Sequence, residues 1–180
     1  MTYSDDWRDK ARRIRLLALD VDGVLTDGTL HLQSDGQETK SFNILDGLGI
    51  KLLQQSGIAV ALITGRESPM VSRRAEALGI AHVVQGREDK LAALDTLCEQ
   101  LGLPLDASAY CGDDLPDLAA IRAAGLGLSV NNAPDYVRAH ADWIPTRSGG
   151  QGAVREICDA LLSCQGRWDV CLAPYLDGQG

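Results

Sequence analysis

The sequence predicts an α/β domain, a doubly wound parallel sheet with helices on both faces and one protruding β-hairpin. Three observations carry that expectation. Short apolar runs alternate with stretches of helical periodicity along the chain. The runs are hydrophobic throughout, as in parallel strands buried on both faces, and do not alternate with polar residues. Finally, Gly57, Gly79, Gly102 and Gly125 each fall just past a helical stretch, where a left-handed C-cap is expected. With 180 residues, no internal repeat and no Pro/Gly-rich linker, the chain reads as one domain over 1–180.

Residues 1–12 stay unassigned, and the first strand is expected at 14–21 (IRLLALDV). Residues 28–44 break the rhythm: TLHLQ and ETKSFNI flank Ser34-Asp35-Gly36, and Asp-Gly is a strong hairpin turn signal. Helices at 46–56, 68–78, 88–101 and 115–124 then alternate with strands at 58–64, 81–85, 108–113 and 126–130. Two further helices are predicted at 133–141 and 152–165, and the tail 166–180 carries no clear motif.

Composition narrows the function. A net charge of -8 weighs against nucleic-acid or anionic-membrane partners, which call for a basic face. Of the 25 acidic residues 19 are Asp, a residue of turns, caps and metal sites and a poorer helix former than Glu. The five cysteines (Cys98, Cys111, Cys158, Cys164, Cys171) are odd in number and form no CxxC pair, so neither a disulfide framework nor cysteine-bound metal is expected. No apolar h-region opens the chain and no segment approaches 18 apolar residues, which predicts a cytoplasmic protein.

Ligands of open α/β sheets bind at the carboxyl ends of the strands, so the polar residues that follow each apolar run are the candidates. The first run ends in Asp20-Val21-Asp22-Gly23-Val24-Leu25-Thr26-Asp27-Gly28. At this chain's own frequencies of Asp, Gly and Thr, the pattern DxDGxxT arises by chance about 0.01 times. Thr64-Gly65-Arg66 follows the second run, where a Thr alone is usually a helix cap. Lys90 stands at a helix start in a chain with four lysines. Gly112-Asp113-Asp114-Leu115-Pro116-Asp117 crowds three carboxylates onto one strand end, more than a helix dipole accounts for, and so invites a divalent cation. Acids to hold Mg2+, a carboxylate placed to attack, and a hydroxyl and an ammonium to cradle a phosphoryl group are the parts of a Mg2+-dependent phosphoryl-transfer enzyme.

In this order the motifs DVDGVLTDG, TGR, Lys90 and GDDLPD resemble those of the haloacid dehalogenase superfamily of phosphatases, over nearly the whole chain. Together with FNILDGLGIK, ITGRES and GGQGAVREICDALL, they look like its 3-deoxy-D-manno-octulosonate 8-phosphate (KDO 8-phosphate) phosphatase branch, of lipopolysaccharide precursor synthesis. The resemblance implies a Rossmann-like fold with Asp20 as nucleophile, Asp22 as general acid and base, and Thr64 and Lys90 holding the phosphoryl oxygens. It implies Mg2+ on the Asp20 carboxylate, the Asp22 carbonyl and Asp113, supported from behind by Asp114 and Asp117. It also implies a sugar-acid contact set of Asp22, Asn43, Asp46, Gly47, Lys51, Gly65, Arg66, Arg74 and Lys90. Lys51 departs from the Arg often found in relatives, and Arg74 reads equally as a solvated helix-face residue.

The intervals where larger members insert a cap domain hold here only the hairpin with one helix, and one β-α step, so a capless member is expected. Family members of this kind are tetramers whose neighbours close the site, and pairing a charge-poor hairpin in an oligomer also removes its open edges. A homotetramer is therefore expected. Three other readings stand beside this one: a capless relative acting on a nonulosonate 9-phosphate, a phospho-receiver switch, and a silent scaffold. Receivers accept phosphate on a mid-domain strand, whereas DxD here ends strand one; a scaffold is expected to have lost the nucleophile or Lys90.

Overall fold

A computed structural model describes residues 4–178. Five parallel strands form one sheet in the order β5-β4-β1-β6-β7: β1 Leu16–Leu19, β4 Ala59–Ile63, β5 His82–Val84, β6 Ser108–Gly112 and β7 Leu126–Ser129. Every residue of β1, β6 and β7 is buried, which is why these runs show no alternation. The strand order reverses beside β1, so the carboxyl ends of β1, β4 and β6 frame the switch-point crevice of a doubly wound sheet.

Helices α1 Asp5–Arg13, α2 Ile44–Gln55 and α7 Ala153–Cys164 form one layer, with α3 Pro69–Leu78 beside α2. The other layer contains α4 Lys90–Leu101 and α5 Leu118–Ala123, and α6 Asp135–Arg138 follows β7. Helix α1 occupies the segment left unassigned from sequence. Ser4 caps it by accepting from Trp7 N at 3.2 Å, and the buried Trp7 ring meets Trp143 edge-on with centroids 5.5 Å apart. The tail forms α8 Trp168–Leu176, none of whose residues is buried.

Two expectations need adjustment. The hairpin is far shorter than 28–44: only β2 His31–Leu32 and β3 Glu38–Thr39 pair, antiparallel, around a turn closed by Gly36 N donating to Gln33 O at 3.0 Å. Gly125 is not a left-handed cap, unlike Gly57, Gly79 and Gly102. A Cβ there would lie 1.9 Å from the Asp106 carbonyl oxygen, so close backbone approach is what calls for glycine.

Candidate active site

The segment after β1 folds into a tight loop because the Val21 carbonyl accepts from the backbone N–H groups of Val24, Leu25 and Thr26. The buried Thr26 hydroxyl then accepts from Gly23 N at 3.3 Å and Gly28 N at 3.2 Å, so the Thr of DxDGxxT holds the loop together. Asn132 and the 149–150 glycines brace it from behind: Asn132 Nδ2 donates to Gly23 O at 3.1 Å, Gly149 N donates to Asn132 Oδ1 at 2.6 Å, and Gly150 N donates to Val24 O at 3.0 Å.

A cavity of about 280 Å³ opens over this loop. It is lined by Asp20, Asp22, Thr64, Gly65, Arg66, Lys90, Asp113, Asp114 and Asp117, residues that reach it from the ends of β1, β4 and β6 and the start of α4. A larger cleft of about 540 Å³, between α8 and the far end of α2, is lined by Gln55, Ser56, Arg167 and Cys171 among others and holds no carboxylate. Chemistry, not size, selects the smaller one.

Lys90 is the electrostatic centre of the cavity. Its ammonium is nearly fully buried and lies 2.9 Å from Asp20 Oδ1, 3.4 Å from Asp117 Oδ1 and 3.1 Å from the Ile63 carbonyl. Burial alone disfavours a charged ammonium, but the Asp20 and Asp117 carboxylates outweigh it and raise the Lys90 pKa above its ordinary value. Asp117 is spent on structure: Tyr110 Oη donates to it at 2.7 Å, and the N–H groups of Asp113 and Asp114 donate at 3.0 and 3.1 Å. Tyr110 was invisible as a site residue because it sits inside an apolar strand run.

Asp20, Asp113 and Asp117 bring carboxylate oxygens within 4.8 Å of one another, with only Lys90 among them as a cation. Burial, reinforced by Asp117, pushes Asp20 up to about 6. Burial, reinforced by Asp20, pushes Asp113 up to about 7. Gly23 leaves room for the Asp113 carboxylate, which a Cβ there would meet at 2.0 Å. With Asp117 committed elsewhere, Asp20 and Asp113 are carboxylates crowded together and short of positive charge, a donor set that fits a hard divalent cation.

Asp22, beside them, pairs with Lys40 of the hairpin, and Arg66 Nε lies 3.9 Å away. Glu38 joins both cations, at 2.9 Å from Lys40 Nζ and 2.6 Å from Arg66 Nη2. Neither Lys40 nor Glu38 carries a motif signal; only the hairpin's fold brings them here.

The remaining expected sugar-acid residues lie outside the cavity. Asn43 caps α2, accepting from Leu45 N at 2.8 Å, and donates to Gly150 O at 3.3 Å. The buried Asp46 accepts from Arg155 N at 2.8 Å, tying α2 to the start of α7. Arg74 donates to Asn43 O at 3.0 Å and stacks on Phe42, 5.7 Å from the ring centroid. It also fills the space beside Gly47, where a Cβ would meet Arg74 Nη2 at 2.5 Å. Lys51 is exposed on α2.

The chain is similar to known phosphatases. Residues 79–157 match the haloacid dehalogenase-like hydrolase family. The chain is 45% identical over 166 residues to the 3-deoxy-D-manno-octulosonate 8-phosphate phosphatase KdsC of Escherichia coli (strain B / BL21-DE3), covering 92% of this chain and 88% of that one. Among solved structures it is similar to the Moraxella catarrhalis 3-deoxy-D-manno-octulosonate 8-phosphate phosphatase in complex with magnesium ion, phosphate ion and KDO (TM-score 0.94, 50% identity, 96% of this chain and 99% of that one). It is also similar to a cobalt-bound deoxy-D-mannose-octulosonate 8-phosphate phosphatase from Haemophilus influenzae (TM-score 0.87, 43% identity, 89% and 94% covered).

Proposed function

The chain belongs to the 3-deoxy-D-manno-octulosonate 8-phosphate phosphatase family of haloacid dehalogenase-like hydrolases, and from that premise we propose that it hydrolyses KDO 8-phosphate to KDO and inorganic phosphate in the cytoplasm, on the route to lipopolysaccharide. The observation that carries the reading is the meeting of Asp20, Asp22, Thr64, Lys90 and Asp113 in one cavity at the switch point of the sheet.

Mg2+ is the cofactor that fits: the Asp20 and Asp113 carboxylates and the Asp22 carbonyl would hold it, with Asp114 and Asp117 supporting them from behind. When bound, it neutralises part of the charge on carboxylate and phosphoryl oxygens, so that one anion can approach another. The free Asp20 oxygen attacks phosphorus in line, forming an aspartyl-phosphate as the bond to the sugar oxygen breaks. Asp22 gives its proton to that leaving oxygen. The Thr64 hydroxyl and Lys90 ammonium donate to the phosphoryl oxygens as charge builds on them. Asp22, now ionised, takes a proton from the water that attacks the aspartyl-phosphate, which releases phosphate and restores Asp20 and protonated Asp22. In the sugar-acid site, Arg66 at the cavity mouth suits the substrate carboxylate through its bidentate fork. Asn43, Lys51 and Arg74 complete it from a neighbouring chain in a homotetramer, since they lie outside the chain's own cavity, whereas Asp46 and Gly47 are buried in α2 and support that surface from beneath.

Phosphate release tests the reading, with Mg2+ or with EDTA, across KDO 8-phosphate, nonulosonate 9-phosphates and simple hexose phosphates. Metal-dependent preference for KDO 8-phosphate is expected. Preference for a nine-carbon acid contradicts the substrate, and metal-independent release contradicts the mechanism.

A further inference from the structure

The hairpin holds a charge that this reaction scheme leaves unassigned. Lys40 directly follows β3, in a hairpin whose two-residue strands are too short to be stable alone, and its side chain is only 2% exposed. Burying an ammonium is unfavourable unless carboxylates meet it, and here two do, from different parts of the chain. One is Glu38 of the hairpin itself; the other is Asp22 of the loop after β1.

The pairing closes a ring. Lys40 Nζ contacts Asp22 Oδ1, Glu38 Oε1 lies 2.9 Å from the same ammonium, Glu38 Oε2 accepts from Arg66 Nη2 at 2.6 Å, and Arg66 Nε lies 3.9 Å from Asp22 Oδ2. Oδ1 of Asp22 thus carries the close contact to Lys40, whereas Oδ2 makes no hydrogen bond and meets Arg66 only at 3.9 Å. The Lys40 contact is therefore the one that holds the carboxylate, which without it is free to turn about its terminal bond. Lys90 has no part in this ring; it serves Asp20 and Asp117.

We propose that Lys40 is a positioning residue: from the hairpin it sets the orientation of the Asp22 carboxylate, with Glu38 holding Lys40 in place, so that proton delivery to the leaving oxygen depends on a seated hairpin. This rests on the role given to Asp22 under the proposed function. Lys40 does not line the cavity. Its removal therefore slows the step that needs Asp22 and leaves the steps that do not.

The test uses two leaving groups of opposite demand. The sugar oxygen of KDO 8-phosphate must be protonated as it leaves, while p-nitrophenolate leaves without a proton. Single-turnover rates with the Mg2+-loaded Lys40→Met variant are compared with wild type on both. The expected result is a fall of at least about tenfold on KDO 8-phosphate, within the range that a general acid contributes. Release of p-nitrophenolate falls less than about threefold, and KM for the sugar phosphate changes less than about threefold. Equal losses on both substrates mean that the hairpin is merely structural and overturn the proposal. A rise in KM alone, which makes Lys40 a substrate contact, or no change at all also overturns it. If circular dichroism shows Lys40→Met to be unfolded, Glu38→Gln is judged by the same ratio: it keeps the ammonium and loosens one tie, so a smaller change in the same direction is expected, and an unchanged ratio overturns the proposal. Wild-type failure on KDO 8-phosphate strikes the proposed substrate instead. The ratio is then read with the alkyl phosphate that wild type hydrolyses best.

Discussion

Lys90 begins α4, a poor place for a cation, because the N-terminal end of a helix is itself positive. Its burial there depends on Asp20 and Asp117. Lys90→Met leaves two buried carboxylates without their partner and is expected to destabilise the metal-free protein by roughly 3–5 kcal/mol, measured by urea unfolding. The two displaced carboxyls make a second prediction. Asp20 and Asp113 have pKa values raised by burial to about 6 and about 7, so folding favours their protonated forms. Their contribution to stability is complete below the ordinary carboxyl pKa and is lost as pH rises through those values. In EDTA the melting temperature should therefore fall between about pH 4 and about pH 7, and added Mg2+ should restore it most at the upper end. A flat EDTA profile contradicts the crowding of these carboxylates. Asp20, Asp22, Asp113 and Lys90 were legible in the sequence because strand ends are where such groups carry meaning. Tyr110 was not, since its hydroxyl partner Asp117 becomes visible only once β6 is followed into the next turn. Lys40 and Glu38 were not, since no local pattern says which hairpin residue folds back onto Asp22. Arg74 and Asp46 read as ligand residues by motif, while their partners Asn43 and Arg155 come from tertiary packing that spacing does not encode.

Strand and helix periodicity made the five sheet strands and α2 to α7 readable to within a few residues, because the sheet is buried on both faces and the helices on one. Short or end-placed elements were harder. The hairpin signal covered 17 residues, yet only two pairs form, because Asp-Gly specifies a turn and not how far the strands continue. Helix α8 buries none of its residues and keeps Val170 and Leu176 exposed, so it left no amphipathic pattern to find. The support of the loop after β1 also lies at this scale. A Cβ at Gly149 would come 1.7 Å from the Gly23 carbonyl oxygen, which belongs to backbone and cannot move aside as a flexible side chain would. Gly149→Ala is therefore expected to cost roughly 1–3 kcal/mol of stability and to lower kcat by displacing the loop of Asp20 and Asp22. A variant with wild-type melting and wild-type kcat contradicts the bracing role.

In the whole molecule, several exposed apolar side chains fall in one stretch of the chain: Leu30 and Leu32 on the hairpin, then Ile44, Leu45 and Leu48 along α2. The same stretch carries Asn43 and Lys51, expected sugar-acid residues that do not reach the chain's own cavity. The proposed neighbouring chain, seated on this stretch, would account for both. Light scattering of the purified protein is expected to give four times the 19.3 kDa chain mass. Leu32→Asp combined with Ile44→Asp is expected to lower that mass and to raise KM for the sugar phosphate, and a smaller assembly with unchanged KM contradicts the sharing of sites. All of this architecture serves one carboxylate at the end of β1, and that claim can be tested directly. The Mg2+-loaded enzyme is mixed with excess KDO 8-phosphate, acid-quenched within the first turnover, digested and analysed by mass spectrometry. One phosphoryl group is expected on the peptide carrying Asp20, absent at time zero and absent in a folded Asp20→Asn variant that does not turn over. A phosphoryl group on another residue, or wild-type turnover by Asp20→Asn, would contradict the account.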